Sequence, residues 1–172
     1  METQSMEFKS IKCSDDCCTF LVSQYKKIEW LDDDGWKQTA QKIKKSGCFI
    51  YDPESNKILL IQSRGQLWGP PKGSIQENED MISCAVREVK EETGIDVKES
   101  EFCETIILKG TSVYYVLKLS EQYVYPQTHI SGNDANSIGW IKLDCLKKMI
   151  DQDKMRLTQH CKLLIKKLFN IF

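Results

Sequence analysis

Residues 73–95, GSIQENEDMISCAVREVKEETGI, constrain this chain more than any other stretch. Gly73, Glu79, Arg87, Glu88, Glu91, Glu92 and Gly94 stand at spacings that read as a loop feeding a helix. Asn78 is a good N-cap, Glu79 and Asp80 suit the first turn, and Gly94 suits the residue just past the last one. Ile82, Ala85, Val86 and Val89 recur at helical spacing and predict one apolar stripe. Glu88, Glu91 and Glu92 fall at i, i+3 and i+4, so they leave the helix as neighbours on another face. Carboxylates so placed repel one another by about 0.2–0.5 kcal/mol per pair. Arg87 can grip a carboxylate with its planar fork, but one guanidinium does not neutralise three. A hard divalent cation does. An all-oxygen cluster suits magnesium or manganese, which keep several waters and accept substrate phosphates. The chemistry predicted is metal-assisted attack of water on a phosphoanhydride. A solvated acidic face would explain the run Lys90-Glu91-Glu92, but not the spacing from Gly73 to Gly94.

The flanking segments supply a scaffold. Residues 47–51 and 57–62 read as strands joined by a turn at 52–56, a hairpin leading into the site. Residues 63–73 form a loop stiffened by Pro and Gly, whose rigidity would let main-chain oxygens near Gly73 join the metal shell. Arg64 and Lys72 are candidates to hold substrate phosphates, with a solvated lysine as the alternative for Lys72; Trp68 is a candidate to stack on a base or to pack beneath the loop. Residues 101–108 and 111–119 read as two further strands around Lys109-Gly110, and a short strand runs through Ile138, Trp140 and Ile141.

Residues 73–95 resemble a complete Nudix box. That resemblance implies a hydrolase of nucleoside diphosphate derivatives, with an α/β/α sandwich and a mixed β-sheet over residues 46–150. It implies that Glu88, Glu91 and Glu92 bind metal and take part in catalysis, that Arg87 orients them, and that Glu79 supports the loop. The run Trp68-Gly69-Pro70-Pro71-Lys72-Gly73 is similar to two branches of the family, which carry Trp-Gly-x-Pro-Lys-Gly (mRNA decapping) and Trp-x-Pro-Pro-Lys-Gly (diadenosine tetraphosphate hydrolysis). In both branches an acidic residue six before a comparable tryptophan is a proposed general base. Asp134 stands six before Trp140; the family residue is usually glutamate, and a turn or helix cap is the competing role for this aspartate.

With 41% hydrophobic and 28% charged residues and a net charge of −1, the chain reads as an ordinary globular protein whose affinity for nucleic acid must come from local patches. No apolar run has membrane-spanning length, and residues 1–10 do not resemble a signal segment, so a cytoplasmic location is expected, in a host if the protein is viral. Residues 1–45 read as an extension packed on the domain, with β-leaning residues from Phe20 to Ile28. Eight scattered cysteines point to reduced thiols. Cys13, Cys17 and Cys18 form a CxxxCC cluster that would bind zinc with one more ligand, such as Cys48 or His129; without paired CxxC spacings, half-buried thiols are the simpler reading. From Lys142 onward eight Lys or Arg face three Asp. Residues 151–172 read as a basic amphipathic helix in which Lys154, Arg156, Lys162, Lys166 and Lys167 can track RNA phosphates while the apolar side caps the core. His160 reads as an ordinary helix residue and His129 as a surface one.

The function expected is metal-dependent hydrolysis of a nucleotide diphosphate linkage. The Trp-Gly-Pro-Pro-Lys-Gly loop and the basic C-terminal segment together favour mRNA cap hydrolysis by a minimal or viral type of decapping enzyme. Rivals are hydrolysis of dinucleoside polyphosphates or nucleoside triphosphates, hydrolysis of diphosphoinositol polyphosphates, and a non-catalytic binding module, against which the intact box glutamates count. Capped RNA or a nucleotide is the expected partner; a homodimer is compatible with the sequence, and no obligate protein partner is evident.

Overall fold

A computed structural model of the chain describes residues 8–23, 43–63, 65–127, 130, 133 and 135–171. In chain order the described strands and α-helices are β1 (Phe8–Lys12), β2 (Thr19–Ser23), β3 (Lys45–Asp52), β4 (Lys57–Ser63), β5 (Leu67–Gly69), β6 (Lys72–Ser74), α1 (Met81–Thr93), β7 (Phe102–Leu108), β8 (Ser112–Lys118), β9 (Ser137–Lys142), α2 (Leu143–Asp151), β10 (Arg156–Leu157) and α3 (Gln159–Phe169). The sheet runs β1-β2-β9-β4-β3-β8-β7. β3 and β8 are parallel and the other pairs on this path antiparallel, so the sheet is mixed.

The near-continuous apolar runs of β3, β4 and β9 are explained by burial on both faces. Phe49, Ile58, Leu60 and Ile141 face α2 and α3, where they meet Leu146, Met149, Cys161, Leu164 and Ile165. Their sequence neighbours Cys48, Ile50, Leu59, Ile61, Ile138 and Trp140 face the other way, toward Val89 of α1 and Ile95. This is the helix–sheet–helix layering the sequence predicts. Each large side chain so buried contributes about 1.5–3 kcal/mol. The turn between β3 and β4 is closed by buried Asp52, whose Oδ1 accepts the Glu54 amide at 2.9 Å and whose Oδ2 accepts the Glu121 amide at 2.8 Å.

Strand β3 changes partner along its length, and that change builds the site. At one end Tyr51 and Asp52 pair with Ile58 and Lys57 of β4. At the other, Lys45, Ser46 and Gly47 pair with Ser74, Gly73 and Lys72 of β6. The loop therefore returns as a short strand directly beside α1.

Two expectations are corrected and a third is met in part. The N-cap of α1 is Asp80, not Asn78: Asp80 is extended (φ −83°, ψ 169°) and its Oδ1 accepts the Ser83 amide at 2.7 Å. Asn78 takes a left-handed φ of 62° in the turn before it, a conformation that asparagine tolerates better than most residues. The C-terminal segment is not one helix from 151. The chain reverses at Asp153 (φ 52°), Arg156 and Leu157 pair in parallel with Leu67 and Trp68, and α3 starts only at Gln159, capped by the Thr158 hydroxyl on the Cys161 amide at 3.2 Å. Lys154 and Arg156 thus precede the helix. The β-leaning residues after Phe20 form a strand as far as Ser23, and those beyond lie outside the described residues.

Candidate active site

Helix α1 ends where Gly94 adopts φ 78° and donates its amide to Lys90 O. On its buried side Val89 and Ala85 meet the sheet. Beside them lies the carboxylate cluster. Arg87 grips Glu79 with both arms of its fork, Nε to Oε1 at 2.7 Å and Nη2 to Oε2 at 2.9 Å. Its Nη1 donates to Glu88 Oε1 at 2.6 Å and to Glu91 Oε2 at 2.9 Å, and Nη2 also reaches the Ser74 carbonyl at 3.1 Å. Glu92 Oε2 accepts the Lys72 amide of β6 at 2.8 Å. Three carboxylates from helix and loop therefore converge around one guanidinium, and a fourth is held by the β6 backbone.

Glu88 and Glu92 are 8% and 4% exposed, and they point inward from α1 toward β6. Gly73 is what admits Glu88: a Cβ at that position would overlap the Glu88 carboxylate. Burial pushes the Glu88 carboxyl above its ordinary range, with the charges of Glu91 and Glu79 adding to it and Arg87 opposing. The hydrogen bond from Arg87, helped by the Gln76 amide, holds Glu79 down at about 2. The donor set is oxygen throughout and includes a buried carboxylate, which fits a hard divalent cation. Glu88, Glu91, Glu92 and the Gly73 carbonyl are the groups able to hold one.

Trp68 packs beneath the loop. It is 5% exposed and its ring meets Phe20 of β2 edge-on at 5.3 Å. Lys162, Lys166 and Lys167 are exposed along α3, and Lys154 and Arg156 are exposed ahead of it, where Arg156 pairs with Asp153 at 3.2 Å. Arg64, Asp134 and His129 lie outside the described residues. One pairing was not legible in the sequence: the Tyr114 hydroxyl and His160 Nδ1 are 3.0 Å apart, joining β8 to the first turn of α3. Burial, together with the charges of Lys72, Lys109 and Lys45, holds His160 below its ordinary range, so the ring is neutral at physiological pH. Burial raises Tyr114, and Glu92 contributes. No spacing rule connects positions 46 residues apart.

Known proteins resemble this chain in sequence and fold. The NUDIX domain family model matches residues 42–161, and the chain belongs to the Nudix family of hydrolases. The hydrolase-named protein 111R of Invertebrate iridescent virus 3 is 32% identical over 140 residues, 79% of each chain. The m7GpppN-mRNA hydrolase of Saccharomyces cerevisiae is 30% identical over 130 residues, which is 69% of this chain but 13% of the yeast protein. Among solved structures, a MutT of Aliivibrio salmonicida or Vibrio cholerae overlays with a TM-score of 0.53 at 18% identity, covering 76% of this chain and 98% of that one. That likeness supports the fold. The protein is thus a Nudix pyrophosphohydrolase, of a family that uses divalent metal ions. Among the described residues no helix is long and apolar enough to cross a membrane.

Proposed function

We propose that this hydrolase removes the 5′ cap of RNA in the cytoplasm, adding water across one P–O–P bridge to give methylated guanosine diphosphate and 5′-monophosphate RNA. One observation carries the reading. Glu92 is joined through β6, β3 and the Tyr114–His160 pair of β8 to the start of α3, whose exposed Lys162, Lys166 and Lys167 lie within two turns of His160. At about 1.5 Å rise per residue, seven residues of helix extend about 10 Å, enough to follow an RNA body for one or two nucleotides. A small nucleotide has no use for that track. The yeast relative, an m7GpppN-mRNA hydrolase, supports the same reading.

Glu88, Glu91, Glu92 and the Gly73 carbonyl would hold magnesium or manganese, which would supply a Lewis acid for the phosphoanhydride and a more acidic water. Arg87 fixes Glu88 and Glu91 so that each keeps its second oxygen for that task. Lys72 and Arg64 hold the substrate phosphates. Trp68 supports the loop from below. Asp134 accepts the proton of the attacking water. Asn133 Nδ2 donates to the Glu91 carbonyl at 2.8 Å.

The test is a substrate panel with magnesium and with manganese: capped RNA, free cap analogue, dinucleoside tetraphosphate and a nucleoside triphosphate. Asp134→Asn is expected to slow every substrate by about 10²–10⁴-fold. Neutralising Lys162, Lys166 and Lys167 is expected to weaken capped RNA alone and to flatten the log–log salt dependence of its binding by about 0.7 for each phosphate that is no longer neutralised. Faster cleavage of the tetraphosphate by wild type, or an equal response of all substrates to the lysine changes, would replace decapping with small-nucleotide hydrolysis.

A further inference from the structure

We propose that Cys13, Cys17, Cys18 and Cys145 form a tetrathiolate zinc site, remote in chemistry from the oxygen cluster, that fastens the β1–β2 hairpin to α2. Three of these thiols sit in the hairpin turn, and the fourth, in the first turn of a helix, stands 128 residues beyond Cys17. Cys17 Sγ lies 3.7 Å from the Cys13 sulfur, 3.8 Å from that of Cys18 and 3.3 Å from that of Cys145. All four sulfurs fall within 4.8 Å of one another. Zn–S bonds of about 2.3 Å in a tetrahedron place sulfurs about 3.8 Å apart, so the set is already close to the edge lengths that the ion requires.

The turn that carries three of the thiols is shaped by its own main chain. The turn is closed by Cys13 N–H on Cys18 O at 3.0 Å and Asp16 N–H on Cys13 O at 3.1 Å, with Asp16 at φ 59°. The Lys142 amide, at the start of α2, donates to Cys18 Sγ at 3.3 Å. Main-chain amides aimed at sulfur stabilise thiolate, whereas thiols buried only for packing need none. Cys145 donates weakly to Asp15 Oδ2 at 3.8 Å; when this thiol gives up its proton, Asp15 keeps Lys148 at 2.6 Å. Lys57 lies within electrostatic reach of Cys17 and Cys18.

Four soft ligands and a tetrahedral arrangement select zinc over the hard ions that suit the glutamates. Binding exchanges thiol protons for the ion and changes no oxidation state. The sequence pattern holds three ligands, and the expected fourth was Cys48 or His129. Cys48 is instead fully buried on the opposite face of the sheet from Cys145, in the core beneath α1. The bound ion would lock the hairpin, held otherwise by its pairing to β9 and by Ser14 Oγ on Gln152 Oε1 at 2.8 Å, onto the end of the sheet.

The test uses the full chain, expressed with zinc in the medium and purified reduced and without chelator. Elemental analysis is expected to find about one zinc per chain, lost in Cys145→Ser and kept in Cys103→Ser. Reconstitution with cobalt is expected to give sulfur-to-cobalt charge-transfer bands and intense tetrahedral d–d bands, which oxygen ligands on α1 cannot produce. If Cys145→Ser fails to fold, the wild type still decides: titrating its thiols with a mercurial should release the zinc into a chromogenic chelator. Reduced protein without stoichiometric zinc, a cobalt spectrum lacking thiolate bands, iron in place of zinc, or zinc retained in folded Cys145→Ser would each overturn the proposal.

Discussion

Arg87 serves three carboxylates with one guanidinium, and the largest effect of this falls on Glu79. The Glu79 carboxyl sits at about 2 against an ordinary 4.5, so the folded chain favours its charged form. Its contribution is complete above the unfolded-state value and is lost as pH falls from there toward the folded value, a span worth up to about 3 kcal/mol. Glu79→Gln is expected to cost about 1–3 kcal/mol at neutral pH and to flatten the acid limb of stability, read by denaturant unfolding between about pH 7 and pH 3. An acid limb as steep as that of wild type would remove the pair from its central position. Gly73 makes a second residue-scale case. In Gly73→Ala the new methyl must displace the Glu88 carboxylate or the β6 backbone, at about 1–3 kcal/mol, and metal-dependent turnover should fall with it. Wild-type melting temperature and wild-type rate together would show that the two groups are not in close contact.

Among the elements, α1 was the most legible, because its box fixes a loop, a helix and a C-terminal glycine at once. Its start was not. Asn78 and Asp80 are both good caps by type, and the choice between them rests on which residue the preceding turn forces into left-handed backbone. The observed geometry therefore predicts opposite responses. Asp80→Ala should destabilise by about 0.5–2 kcal/mol, whereas Asn78→Gly, which relieves a positive φ, should be neutral or slightly stabilising; thermal unfolding separates them. Equal losses at the two positions would return the cap to Asn78. Helix α3 shows the same limit of sequence reading. Period and charge revealed an apolar face and a basic one, but not that Arg156 and Leu157 first pair with β5, which sets where the helix begins.

At the scale of the whole molecule, the central strands were readable because runs buried on two faces leave a continuous apolar trace, as in β3 and β4. What escaped was every contact made by the fold across long separations. Trp68 offered two roles, and Phe20 of a distant hairpin decides for packing. Cys145 completes the thiol cluster only because β2 pairs with β9, whose chain runs straight into α2. Glu88 and Glu92, which helical spacing places only as neighbours, are enclosed because β3 exchanges β4 for β6 along its length. That exchange is also what makes α1 and the loop a single centre.

The most direct test of that centre is the release of label from cap-labelled RNA, with magnesium or manganese, by wild type and by Glu92→Gln. The substituted amide keeps an oxygen for the Lys72 N–H but loses the charge. Wild type is expected to release methylated guanosine diphosphate, and the variant to melt like wild type yet cleave at least about 100-fold more slowly. Cleavage by the folded variant at the wild-type rate, or intact capped RNA after incubation of wild type with either metal, would contradict the assignment.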